Sequence, residues 1–489
     1  MSITLNSADN IYVVFEGVNK KLNEIMHVEE NFDIVYREIS IMGKKAVFYF
    51  VDGFCKSADL RSMIEVFMEI NNPKLISSAE EFSKTAVTYG QVTLSDDENE
   101  IVTAVLAGQT VLVVDGFEKA VLISARSHPQ RATSEPDKDK VFRGSRDGFV
   151  ESIVLNTALI RRRIRDPRLI IKHMQVGSQS KTDVALCYMK GKVDKKLLDN
   201  ILNRLDTTKV QSLTMNQESI VEILTPKRWK NPLPKFKYTE RPDTTAAHVF
   251  EGDIAIIVDN SPAVLIVPAT IFSVMEEAND YYFPPVIGTY LKLTRSIIML
   301  ITAVITPVWL LLTQNPDWVP EWLSFILVTD NIQVPLLAQL IILEIAIDGL
   351  NLASLNTPNT LISSLSILAA IIVGDYAVGS GWFSSQALLY TAFVALANFA
   401  QPGYELGYAF KFIRIFLLLA TGFFNVWGFV IGLIIVLAVV LNTKMLSGRC
   451  YLYPLIPFNW KKLKYHLYRA SLTEKQESKK DEIAKTDDI

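Results

Sequence analysis

Glu344 and Asp348 are two carboxylates four positions apart inside a run of Leu, Ile and Ala. That spacing puts both on one face of a helix. A single carboxylate at the centre of a bilayer costs roughly 2.5–3.5 kcal/mol to insert, so two side by side must face protein or water. The chemistry this allows is a cation pathway, a proton site, or a structural contact with polar groups of a neighbouring helix. Asp375 and Glu405 extend the same acidic surface. Residues 296–410 hold 7 Asp or Glu and no Lys, Arg or His, so this stretch should attract cations and repel anions.

The remaining charge is distributed differently. Residues 1–295 carry 37 Lys or Arg against 39 Asp or Glu, and residues 411–489 carry 12 against 6. An ordinary globular surface needs both signs of charge, so the base-free stretch reads as a membrane region. The 489 residues include three cysteines, Cys55, Cys187 and Cys450, too far apart for a disulfide framework or a zinc site. The sequence contains no phosphate-binding loop, dinucleotide fingerprint, HExxH or GxSxG, and its five histidines are scattered. No enzyme activity, cofactor or metal site is therefore expected. The densest basic run, Arg161-Arg162-Arg163-Ile164-Arg165, is read as solvated or as pairing with a neighbouring subunit, not as a nucleic-acid surface, because the surrounding domain is near neutral.

The elements that must position these residues follow from periodicity. Strand-like runs at Phe32–Ser40, Lys45–Val51, Thr110–Val114 and Lys119–Ala125 alternate with amphipathic helices at Ala58–Ile70 and Glu98–Ala107, giving an α/β subdomain over 1–125. A charged, proline-containing linker covers 126–140. A second α/β subdomain covers 141–290, with helices at Ser145–Ile164 and Lys195–Leu205, strands at Leu169–Val176 and Asp183–Met189, and a β-hairpin over Gly252–Pro268. No repeat of 20 to 50 residues is visible. The start of the chain lacks a basic segment followed by an apolar run, so the N-terminal part is expected in the cytoplasm.

Residues 291–445 form a multi-pass transmembrane helix bundle: apolar segments at Ser296–Thr313, Ile332–Leu350, Thr360–Val378 and Gln386–Ala400, then a block at Phe412–Leu441. This last block is too long for one upright span and too short for two. Lys292 and Arg295, Lys411 and Arg414, and the group Lys461, Lys462, Lys464 and Arg469 all belong on the inner side by the charge rule. The block must then turn back, with a break near Asn425–Gly428, or else run as one tilted helix. Residues 446–489 are a basic, aromatic cytoplasmic tail whose Trp460, Tyr465 and Tyr468 suit the headgroup zone.

The run RATSEPDKDKVFRGSRDGFVESIVLNTALIRRRIRD at Arg131–Asp166 resembles the signature of the A subunits of spore germinant receptors, the GerA family. The likeness continues through TERPDTTAAHVFEG at Thr239–Gly252, VDNSP at Val258–Pro262 and YPLIPFNW at Tyr453–Trp460. It covers most of the chain, and its wording is nearest the stage V sporulation protein AF branch. The resemblance implies two cytoplasmic α/β subdomains before a membrane bundle in the spore inner membrane. It implies a homo-oligomer, a pentamer, that passes monovalent cations during germination and amplifies the response. Its partners would be the lipid bilayer and either a small membrane protein or receptor B and C subunits; the alternative is a non-conducting scaffold or co-receptor. On this resemblance Glu344 and Asp348 match the family's acidic pair; with Asp375 and Glu405, read from the charge pattern, they are the candidate ion pathway. Arg143, Gly144, Arg146, Asp147, Asn156, Arg161, Arg162 and Arg163, with Arg241, Pro242 and Asp243, form an assembly or structural element. A basic residue is expected shortly after the second acid, but Asn351 stands there. The acids are therefore expected to lack an internal ion pair, which leaves Asp348 the more exposed.

Overall fold

The computed structural model describes residues 7–87, 91–127, 141–225, 231–330, 332–356 and 377–469. Nearly all of the linker at 126–140 and of the segment Thr360–Val378, Asp375 included, lies outside them. The chain divides into two compact units, Met1–Pro226 with Phe236–Pro268, and Lys227–Lys235 with Ala269–Ile489. Residues 269–290, expected in the second α/β subdomain, therefore belong to the helical unit.

The first unit holds two five-stranded sheets. Helix α1 (Ser7–Met26) precedes β1 (Ile34–Ile41), β2 (Lys44–Val51), α2 (Ser57–Met68), α3 (Ala79–Thr85), β3 (Val92–Ser95), α4 (Glu98–Leu106), β4 (Thr110–Val114) and β5 (Ala120–Ile123). Helix α5 (Ile153–Arg163) opens the second set: β6 (Leu169–Val176), β7 (Thr182–Met189), α6 (Lys195–Thr207), α7 (Gln217–Leu224), β8 (Lys237–Thr239), α8 (Pro242–Glu251), β9 (Ile254–Val258) and β10 (Val264–Val267). The strand orders are β1-β2-β4-β5-β3 and β6-β7-β9-β10-β8, with every pairing antiparallel. Both sheets therefore follow one plan, a helix, two strands, two helices, a strand, a helix and two strands. This repeat is longer than the 20 to 50 residues of a solenoid unit.

Strand β2 shows why these runs are apolar throughout. Val47, Tyr49 and Val51 pack on one face of the sheet with Leu22, Met26, Ile101 and Val105. Ala46, Phe48 and Phe50 pack on the other with Met63, Phe67 and Phe82. With helices on both faces, alternate side chains are buried in turn and the polar half of the period-2 pattern disappears. The β1–β2 turn uses Met42 and Gly43, both at positive φ, which suits a two-residue hairpin loop. Gly252, at φ 105°, ends α8; a Cβ there would lie 2.8 Å from the Lys192 carbonyl oxygen, so the close approach and the left-handed backbone both require glycine.

The second unit starts with the short helices α9 (Ile271–Met275) and α10 (Asn279–Tyr282), followed by α11 (Pro285–Gln314), α12 (Leu336–Asn356), α13 (Ser385–Phe399), α14 (Tyr404–Asn442) and α15 (Trp460–Leu467). Pro285–Gln314, Leu336–Ala353 and Tyr404–Asn442 are long and apolar enough to cross a membrane. Helix α14 is broken at Asn425, which has φ 48° and ψ −131°. Its two arms fold against each other: a Cβ on Gly428 would meet the Ala420 carbonyl oxygen, and one on Gly432 would meet Leu417. Val440 accordingly packs against the core cluster that contains Leu406, Ala409 and Phe410. The block thus turns back inside Asn425–Gly428, with a first arm of about 31 Å.

The turn is held by a reciprocal amide pair. Asn315 Nδ2 donates to Asn425 Oδ1 at 2.7 Å and Asn425 Nδ2 to Asn315 Oδ1 at 3.3 Å. Gln339 Oε1 accepts from the Ser384 backbone N–H, and Asp330 from that of Ser385. These bonds gather the end of α11 with the turn of α14, and the starts of α12 and α13 with each other. Trp318, Trp322, Phe325, Trp382, Phe423, Phe424 and Trp427, all close to these junctions in sequence, are exposed, the aromatic composition expected where a bundle meets headgroups.

Candidate functional site: a charge cluster within the helical bundle

Glu344 lies eight residues into α12, about 12 Å along it, and Arg414 ten residues into α14, about 15 Å along it. Both are well inside apolar helices. Arg414 grips Glu344 through two parallel bonds, Nε to Oε1 at 2.6 Å and a terminal nitrogen to Oε2 at 2.9 Å. Its other nitrogen donates to the Thr302 carbonyl of α11 at 3.2 Å. One turn earlier, Lys411 reaches the Glu344 backbone carbonyl at 2.9 Å, Glu344 Oε2 at 3.4 Å and Asp348 Oδ1 at 2.5 Å. Arg414 is fully buried and Glu344 and Lys411 nearly so, whereas the Asp348 side chain is 36% exposed.

This geometry corrects the expectation of unpaired acids. Asn351 supplies no base, but Lys411 and Arg414 do, from 63 to 70 positions further along the chain. They do not simply flank a span on the inner side; they sit inside α14 with their charges turned onto α12. Two acids and two bases sum to zero, so the acidic field expected of the base-free stretch is cancelled at its centre. Each ion pays its desolvation cost through hydrogen bonds and an opposite charge.

Asp375 lies outside the described residues. Glu405 stands in the first turn of α14, half-buried, where a negative charge suits the helix dipole. It lies near Tyr451; burial pushes that phenol's pKa up and Glu405 adds to the shift.

The second constellation resolves into two internal clamps. Arg161, fully buried, binds both oxygens of Asp33 at 2.7 and 2.9 Å, Asn31 Oδ1 at 3.0 Å and the Leu169 carbonyl at 3.2 Å. Asp33 immediately precedes β1, so Arg161 ties the first α/β subdomain to the second, correcting the reading of this residue as solvated or intersubunit. Arg163 holds Asp147 at 2.6 and 2.7 Å and Ser145 Oγ at 2.9 Å, while Arg241 binds Asp243 and the Ser145 carbonyl. Asn156 brackets Val150 through both its N–H and its carbonyl. Together they pin the extended segment 145–150, which was expected to be helical, against α5 and α8, with Pro242 at the first position of α8. Burial works to raise the Asp147 pKa, but bonds from Arg163 and Ser145 outweigh it and hold the carboxyl below its usual range. Arg143, Gly144, Arg146 and Arg162 are exposed.

Sequence reasoning missed Lys411 and Arg414 as partners of the acids, and Asp33 and Asn31 as partners of Arg161. The available signal was the pair of bases three apart at the start of an apolar block, a spacing that puts both on one helix face.

A model of the family described as Bacillus/Clostridium GerA spore germination protein matches residues 20–481. The chain is 35% identical over 446 residues to stage V sporulation protein AF of Bacillus subtilis, covering 90% of this chain and 89% of that one. It is 28% identical to spore germination protein KA of the same organism, over 90% of this chain and 82% of that protein. A crystal structure of the N-terminal domain of the A subunit of the Bacillus megaterium spore germinant receptor GerK3 matches with 28% identity and a TM-score of 0.40, over 51% of this chain and 93% of that one.

Proposed function

We propose a function on the premise that this chain belongs to the GerA family of spore germination proteins: it is a subunit of an oligomeric channel that releases monovalent cations across the spore inner membrane during germination. The carrying observation is Asp348. It sits on an apolar helix beside a buried ion-pair cluster, yet over a third of its side chain is open. A carboxylate at that depth does not face hydrocarbon, so the open side faces water or another copy of the chain. Of the most apolar 18 residues of α12, 22% are buried, which leaves room for such neighbours. In this reading the α/β unit lies in the cytoplasm, B and C type subunits or a small membrane protein are partners, and no catalytic step falls to the chain.

Liposomes holding the purified protein should pass potassium ions, and Asp348→Asn should lower that flux severalfold without dispersing the oligomer. An intact oligomer that stays electrically silent would overturn the proposal. One observation favours the alternative, a non-conducting scaffold: Glu344, Lys411 and Arg414 are buried and the cluster is neutral, as a static clamp between helices would be. Under that reading Asp348→Asn weakens assembly, and the flux of partner complexes keeps its selectivity.

A further inference from the structure

Residues 443–469 hold six Lys or Arg and no Asp or Glu. A loose chain of that composition would be a solvated tail, but this one is fastened at both ends. Just past α14, the Tyr451 N–H donates to the Thr443 carbonyl, Lys444 and Cys450 pair as an antiparallel bridge, and the Tyr451 carbonyl accepts from the Ile271 N–H. Helix α15 is capped by Asn459 Oδ1, which accepts from the Lys462 N–H at 3.1 Å, and it buries Leu463. Beyond it, His466 Nδ1 lies 3.1 Å from Glu276 Oε1, and the Arg469 N–H donates to Thr289 of α11. The segment is thereby held at the end of the helical unit where α11 starts and α14 finishes.

Between those fastenings the chain presents side chains that a folded surface ordinarily hides. Leu455, Ile456, Phe458 and Trp460 are exposed, and the Phe458 and Trp460 rings stack with centroids 6.2 Å apart. Lys444, Arg449, Lys461, Lys462 and Lys464 are exposed as well, and none pairs with a carboxylate among the described residues. Arg449 and Lys462, from opposite sides of the turn, approach the same Tyr453 ring, each 5.9 Å from its centroid. Two bases thus converge on one spot with no acid to neutralise them. Unpaired cations interleaved with exposed aromatic and aliphatic side chains suit a headgroup layer, where one end of a side chain is wet and the other is in hydrocarbon. The segment follows directly on a helix long and apolar enough to cross a membrane, so a bilayer surface is what adjoins it.

We propose that this surface binds anionic phospholipid in preference to zwitterionic lipid. Arg449 and Lys462 hold a headgroup phosphate beside Tyr453, and Lys461 and Lys464 add attraction to a leaflet of net negative charge. Leu455, Ile456 and Phe458 enter the acyl region and fix the depth of the bases. A zwitterionic headgroup brings its own ammonium group, which offsets the phosphate and leaves the bases little to gain. These residues are separate from Asp348, and the lipid preference does not depend on conduction.

The test uses the full-length chain in phosphatidylcholine nanodiscs, with a minor fraction of the lipid replaced by phosphatidylglycerol or phosphatidylcholine brominated on the acyl chains. The Trp460 emission is the difference between the parent and Trp460→Phe. Brominated phosphatidylglycerol should quench it severalfold more than the same amount of brominated phosphatidylcholine, and added salt should shrink that excess. Lys461→Gln, Lys462→Gln and Lys464→Gln together should remove most of the excess, whereas arginine at the same three positions should keep it. All three positions are exposed, so the melting temperature of the glutamine variant in phosphatidylcholine alone should match that of the parent. Equal quenching by the two lipids, an excess that survives the glutamine variant, or a Trp460 that neither lipid reaches, as when another chain covers it, would each overturn the assignment.

Discussion

Arg414 contributes most to the cluster because it alone joins three helices, through Glu344 on α12 and Thr302 on α11. Arg414→Met should leave Glu344 buried and uncompensated, at a cost of about 3–5 kcal/mol. Adding Glu344→Gln should restore most of that loss, since the stranded charge is then gone. Unfolding in mixed micelles by a graded denaturant, run on both single variants and the double, measures the coupling. Independent, additive losses would show that the two residues do not act as a pair. At this scale the sequence disclosed half of the cluster. Glu344 and Asp348 stand out because carboxylates are rare in apolar runs. Lys411 and Arg414 sit where an inner-side flanking charge would also sit, and only the course of α14 beyond them turns them inward. The same limit applies to Arg161: its burial depends on Asp33, 128 positions away, and the run of arginines around it resembles an exposed patch.

Helix α14 shows how an element inherits its shape from single residues. Asn425 adopts a backbone conformation that few non-glycine residues accept, and Asn315 secures its side chain. Gly428 then allows the returning arm to approach: a Cβ at that position would collide with the Ala420 backbone oxygen. Gly428→Ala should therefore push the arms apart and destabilise the bundle by about 1–3 kcal/mol, seen as a lower denaturation midpoint in detergent. An unchanged midpoint would mean the arms are not in contact there. The length and glycine content of Phe412–Leu441 already pointed to such a turn. Strands were legible wherever both faces are covered, as at Thr110–Val114 and Ile254–Val258, because an unbroken run rich in β-branched residues leaves few alternatives. Helix α8 was not, since its Pro-Asp-Thr-Thr opening looks like a turn; proline at the first position and Gly252 at the end are what make it a helix. The segment 145–150 failed in the opposite sense, its backbone being bonded to side chains of Asn156 and Arg241 and not to its own next turn.

For the whole chain, the bonds at the two ends of the helical unit set its sidedness. The turn at Asn425 and the loop around Glu321 gather with the end of α11 and the start of α12, while Tyr451 returns to Ile271 and Thr443, before α11 and after α14. A cysteine introduced at Glu321 and the native Cys450 should therefore react with an impermeant thiol reagent from opposite sides of a sealed vesicle. Labelling of both from one side would refute this arrangement. The two α/β subdomains repeat one strand plan although no short period marks the sequence, because only burial and strand order are shared, and many residue choices satisfy both. The cluster of Glu344, Asp348, Lys411 and Arg414 has one further mechanical outcome. A slip of α12 past α14 by a single turn, about 5.4 Å, would leave the buried Glu344, Lys411 and Arg414 without their opposite charges. The two helices are thus geared to each other, and in the proposed channel any widening must come from the geared pair leaning as one rigid body, not from a piston stroke within it.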